Sequence, residues 1–169
     1  RDMKNIPLKP WNRMGGYGVY VDLDGTILKG AATVGQTNNA YICEIPPGKS
    51  LTPQRHIFEE LIFVLSGRGA TTAWTNEGKK QTFEWQEGSL FSPPLNAWYQ
   101  HFNGSGDKPA RFMAVTTMPL ILNLFHNYDF IFNNDFVFTD RYSGEEDYFS
   151  GRGKAYPGRV WDTNFVADV

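Results

Sequence analysis

Two side chains carry the first chemical suggestion: His56 and, four residues on, Glu60. Imidazole and carboxylate are the ligand types that hold divalent metals, and they also serve as acid and base. Gln54 stands two residues before His56, and Tyr99 two residues before His101. Residues two apart on a strand share a face, so Gln54 points with His56 and Tyr99 with His101. The remaining histidine, His126, sits in a polar and aromatic run and reads as structural. The single cysteine, Cys43, excludes an intrachain disulfide and a cysteine cluster, and reads as a small buried strand residue.

The elements that must position these groups are strands. The 169 residues suit one domain, with 15% aromatic residues, 17 Gly and 10 Pro. Strands are predicted at 17–23, 41–45, 60–65, 70–75, 81–85, 89–92, 98–102 and 111–116, with Asn76-Glu77-Gly78 as a hairpin turn. Turns every 8–12 residues or so are the pattern of a sandwich or barrel. Residues 1–16 read as an irregular arm, 17–118 as the barrel, and 119–169 as a covering segment and tail. Within the last, 119–140 is expected to mix a short helix with a covering strand. A net charge of -2 excludes the footprint of a nucleic-acid binder. No stretch reaches the roughly 20 apolar residues of a membrane span, and a cytoplasmic protein is expected.

The spacing then becomes specific. Gly48, Gln54, His56, Glu60 and Gly67 are followed by Gly88, Pro94, Asn96, Tyr99 and Asn103. This resembles the two motifs of the cupin superfamily, in which Gly, His, His, Glu and Gly precede Gly, Pro, Gly, His and Asn. The resemblance implies an all-β fold, an antiparallel cupin barrel (a double-stranded β-helix, or jelly roll), with Gly67 and Gly88 at sharp bends. It also implies that Glu60 faces the barrel interior with His56. The family holds its metal with the two motif-one histidines, the glutamate and the motif-two histidine. Here Gln54 and Tyr99 stand at two of those four positions.

Two answers to a buried Glu60 follow, since an ionised carboxylate inside a barrel needs a cation or donors. A divalent metal can sit among His56, Glu60 and His101, with Gln54 or water completing the shell. Such a two-histidine, one-carboxylate set suits Fe(II), with Mn, Zn or Ni as alternatives. Otherwise the Tyr99 phenol and the imidazoles hydrogen-bond the carboxylate without metal. The reading favours metal and takes Glu60 and Tyr99 as the candidate catalytic residues. The functional expectation is an oxygenase-type enzyme acting on a small organic, aromatic substrate. The alternative is a catalytically silent domain that binds a small molecule or serves as a dimerisation half. Trp74, Trp85 and Trp98 read as core or cavity wall, and Asn96 and Asn103 as turn residues.

The chain also resembles one half of bacterial two-cupin proteins, which places Val169 near a domain junction. A homodimer or a second cupin domain is therefore the expected partner, with Trp11, Trp161 and Phe165 as unpartnered terminal anchors. One competing motif, Val21-Asp22-Leu23-Asp24-Gly25-Thr26, resembles the nucleophile motif of haloacid-dehalogenase-like phosphatases. That chemistry needs a parallel α/β sheet, which the hairpin pattern downstream contradicts.

Overall fold

The structure, a computed structural model, describes residues 2–21, 37–76 and 79–150. The Asp22–Thr26 motif, the tip of the Asn76–Gly78 turn, Trp161 and Phe165 lie outside the described residues. Nine strands precede two helices: β1 Lys9–Trp11, β2 Gly16–Tyr20, β3 Asn39–Ile45, β4 Glu60–Ser66, β5 Arg68–Trp74, β6 Gln81–Gln86, β7 Leu90–Phe91, β8 Trp98–Asn103, β9 Ala110–Thr116, then α1 Met118–Phe125 and α2 Tyr128–Phe132. One sheet has the order β1-β2-β3-β9-β4-β7 and the other β6-β5-β8. Every strand pair among the described residues is antiparallel, which leaves no place for the phosphatase fold.

Strand alternation builds the interior. Tyr41, Cys43 and Ile45 on β3, Ile62 and Val64 on β4, and Phe112 and Ala114 on β9 face Trp85 and Phe91 in one buried cluster. Each fully buried Ile, Val or Phe contributes about 1.5–3 kcal/mol relative to exposure. On the other face of the same sheet, Leu61, Phe63 and Val115 are exposed. The chain changes sheets between β4 and β5 through one residue, Gly67, at φ +87°. A Cβ there would lie 2.8 Å from the Ala110 backbone, so this corner requires glycine.

Two expectations are corrected. The arm 1–16 is not wholly irregular: β1 pairs with β2, and Trp11 packs on Tyr20 and Tyr41. Pro10 is compatible with this because β1 is an edge strand. Trp11 thus has its partner on its own barrel. Beyond β9 the described chain forms two helices and no covering strand. Pro119 starts α1, and the Asn127 side chain caps α2 by accepting from the Phe130 amide. Ile131 and Met118 then pack on Phe58, and the Ile57 amide donates to the Ile131 carbonyl at 3.1 Å, seating the pair over one end of the barrel. His126 is the left-handed cap of α1, a structural role as expected.

Candidate functional site

The segment between β3 and β4 runs beside β8. Gln54 and Tyr99 exchange backbone hydrogen bonds of 2.8 and 2.9 Å, and the Asn96 amide donates to the His56 carbonyl at 3.1 Å. These bonds fix His56 without a regular strand. Glu60 opens β4, whose alternation turns it inward with Ile62 and Val64. Tyr41 reaches it from β3 in the same sheet, and Tyr99 from the facing sheet.

Glu60 is 3% exposed and is met by three donors. The Tyr41 hydroxyl donates to Oε1, the Tyr99 hydroxyl donates to Oε2 at 2.6 Å, and His56 Nε2 lies 3.3 Å from Oε2. Burial alone would raise the carboxyl pKa. The hydrogen bond and charge of His56, with the two phenols, outweigh it and lower Glu60 to about 2. Both phenols are pushed well above 10, by burial first and then by the Glu60 charge, so they remain donors.

The Phe58 carbonyl can only accept, so His56 Nδ1 donates to it at 2.9 Å. The Tyr99 oxygen lies 2.6 Å from Glu60 Oε2 and 2.8 Å from His56 Nε2, so its single proton can serve the carboxylate or the imidazole. Tyr99 thus links His56 to Glu60. Phe58, stacked on the imidazole with centroids 3.7 Å apart, holds the ring plane.

His101 lies apart from this network. Trp85 Nε1 donates to Thr71 Oγ1 at 2.9 Å, and the same hydroxyl is hydrogen-bonded to His101 Nδ1 at 2.7 Å. His101 is neutral, and burial lowers its pKa to about 4. It shares the inward face with Tyr99 as expected, the ring centroids 5.2 Å apart, but its Nδ1 is engaged by Thr71 rather than by Glu60 or His56. Gln54 turns its amide NH2 to the Arg13 and Thr52 carbonyls, at 3.3 and 3.1 Å. Asn96 and Asn103 do more than form turns. Asn96, at φ 55°, donates to the Asn134 and Phe136 carbonyls, and Asn103 donates to those of Ile45 and Lys108.

The structure brings Glu60, His56 and Tyr99 together and adds Tyr41 and Phe58, which the sequence reading did not single out. Among the described residues, no three His, Cys, Asp or Glu side chains converge to hold a metal ion. Glu60 accepts from both phenols, which stay protonated, and His56 keeps Nδ1 on the Phe58 carbonyl with Nε2 towards Tyr99 and Glu60. A divalent metal held by His56 and Glu60 would have to displace the phenols from the carboxylate. Cys43 is buried as expected, its thiol pushed up to about 12 by burial.

Tyr41, Gln54, His56, Glu60 and Tyr99 line a buried cavity of ≈ 30 Å³, enough for about one water. Arg13 and Gln54 also line a neighbouring open cleft of ≈ 580 Å³, whose walls include Trp98, Tyr128 and Phe132. That volume suits a small organic molecule.

The comparisons with known proteins agree with this architecture. The family described as "Cupin domain" matches residues 41–116, from β3 through β9. Among solved structures, the oxalate decarboxylase of Lactobacillus farciminis in a formate complex superposes with a TM-score of 0.53 at 22% identity, covering 68% of this chain and 32% of that one. The Bacillus subtilis oxalate decarboxylase, described with Mn(II) centres, gives 0.50 at 19% identity over 60% of this chain and 26% of its own. The cupin domain of Cnp3 from Schizosaccharomyces pombe gives 0.51 at 14% identity, covering 69% and 71%. This chain thus spans about a third of the Lactobacillus enzyme's length, and at these identities the likeness concerns the fold. No curated protein matches the sequence. Among the described residues, no helix is long and apolar enough to cross a membrane. Residues 41–116 are a cupin domain, and the solved structures that share its fold are cupin proteins.

Proposed function

We propose that this cupin domain binds a small organic molecule in the cleft beside the barrel cavity, and that the Tyr99–Glu60–His56 network there exchanges a proton without a resident metal. The observation that carries the reading is the saturation of Glu60 by Tyr41, Tyr99 and His56. A ligand group at the Gln54 boundary between cleft and cavity meets the Tyr99 hydroxyl, which is within hydrogen-bond reach of both His56 and Glu60. Tryptophan fluorescence reports binding, because Trp98 lines the cleft. Binding of small organic acids, amides or phenols that survives dialysis against a chelator supports the proposal. Binding that appears only on adding Fe(II), Mn(II), Zn(II) or Ni(II) overturns it.

The second reading is a metal-dependent enzyme of oxygenase type. What favours it is that His56 and Glu60 occupy the family's ligand positions and lie 3.3 Å apart. It requires the phenols to swing away from Glu60 so that metal can replace them. For partners, we propose a homodimer or a second cupin domain seated on the exposed Leu61, Phe63 and Val115 face.

A further inference from the structure

We infer that the cleft recognises a carboxylate-bearing aromatic molecule, its anion held between Arg13 and Arg55. This rests on the small-molecule reading above and names the ligand class. Arg55 is 8% exposed yet has no carboxylate partner among the described residues. Its guanidinium donates to the neutral Asn76 Oδ1 at 3.2 Å and the Asn133 carbonyl at 2.9 Å and lies 4.8 Å from the Trp98 ring centre, while its Nε–H is buried with no acceptor. A buried charge without a counterion is costly, and an anion in the cleft would compensate it. Arg13, on the same cleft, forms no ion pair within 4 Å either; its guanidinium sits 3.5 Å over the Phe132 ring.

The cleft's own carboxylate, Asp129, accepts from the Asn133 amide at 2.7 Å and pairs with neither arginine. A buried guanidinium without a carboxylate and a second arginine on the same cleft favour a carboxylate, which a guanidinium fork can bind bidentately. Trp98, Tyr128 and Phe132 on the same cleft supply an apolar wall for the body of such a ligand. Arg13 and Gln54 also border the cavity, so a carboxylate held here sits beside the pocket that holds Tyr99 and Glu60.

The test compares benzoate with its neutral counterpart benzamide, by calorimetry and Trp fluorescence on the full chain. Benzoate should bind roughly tenfold more tightly, with the preference shrinking as salt is raised. Arg13→Ala, an exposed substitution, should erase most of that preference by weakening benzoate far more than benzamide. Arg55→Met should do the same while the domain still melts cooperatively, because the charge it removes has no partner. Equal binding of benzoate and benzamide, or benzoate binding indifferent to Arg13→Ala, overturns the anion assignment and leaves the small-molecule reading standing. Failure of both probes to bind overturns the anion assignment and counts against that reading as well.

Discussion

Replacing Tyr41 with Phe removes one oxygen from the site and little else. The ring still packs on Trp11 and Phe112, at centroid distances of 5.2 and 6.3 Å, so shape and apolar burial are conserved. What disappears is the donor to Glu60 Oε1. Tyr99 and His56 both lie on Oε2, so neither covers the loss without moving. A hydrogen bond to a buried charge contributes about 1.5–3 kcal/mol, and a water in the cavity of ≈ 30 Å³ would recover part of it. The expected cost at pH 7 is therefore about 2 kcal/mol. For a domain of this size that is a fall in Tm of roughly 4–8 °C. Urea unfolding at pH 7 measures the cost directly. Combined with Glu60→Gln, the two substitutions should be coupled, because the bond at issue is to the carboxylate. If Tyr41→Phe changes stability by less than about 0.5 kcal/mol and shows no coupling to Glu60→Gln, the donor-saturated carboxylate is the wrong description of the site.

Acid should destabilise the domain in two overlapping stages. His101 is depressed from 6.5 to about 4, so below pH 6.5 the unfolded chain takes a proton that the folded one refuses; Glu60, depressed from 4.5 to about 2, adds its loss between those values. Denaturant midpoints should fall from pH 6.5 downwards, and His101→Gln should flatten the upper stage; a midpoint constant from pH 7 to 4 contradicts the His101 assignment, and one constant from pH 4.5 to 2 contradicts that of Glu60. Restoring the family's ligand set with Gln54→His and Tyr99→His should create stoichiometric Mn(II) or Zn(II) binding by titration, and His56→Ala in that background should abolish it. No uptake by the double variant would mean that the barrel cannot converge four ligands on one point. Leu61→Glu with Phe63→Glu should dissociate the proposed dimer in sedimentation, and an unchanged association state would move the interface elsewhere.

Much of the barrel was legible because strands with one buried face alternate visibly. All seven strands from β3 to β9 fall where hydrophobic period and turn residues put them. β1 was hidden by its three-residue length and its proline. The run Phe130-Ile131-Phe132 has no period that separates strand from helix, and the Asn127 cap decides it. At the site, motif spacing located His56, Glu60 and Tyr99. Tyr41 was read as a strand residue, but its contact with Glu60 depends on β9 lying between β3 and β4, a long-range pairing. His101 shows the limit of face arguments: sharing a face with Tyr99 did not place it at the same point, and Thr71 and Trp85 claim it instead. Arg55 was invisible because nothing local reveals that a buried cation lacks a partner.

The most direct measurement is the metal content of the protein, purified without chelator and without added metal, by elemental analysis alongside its His56→Ala variant. With Glu60 held by Tyr41, Tyr99 and His56, both proteins should carry metal far below one ion per chain and should not differ. A stoichiometric metal in the parent protein that His56→Ala removes would contradict a proton-held carboxylate and establish the metal-dependent reading.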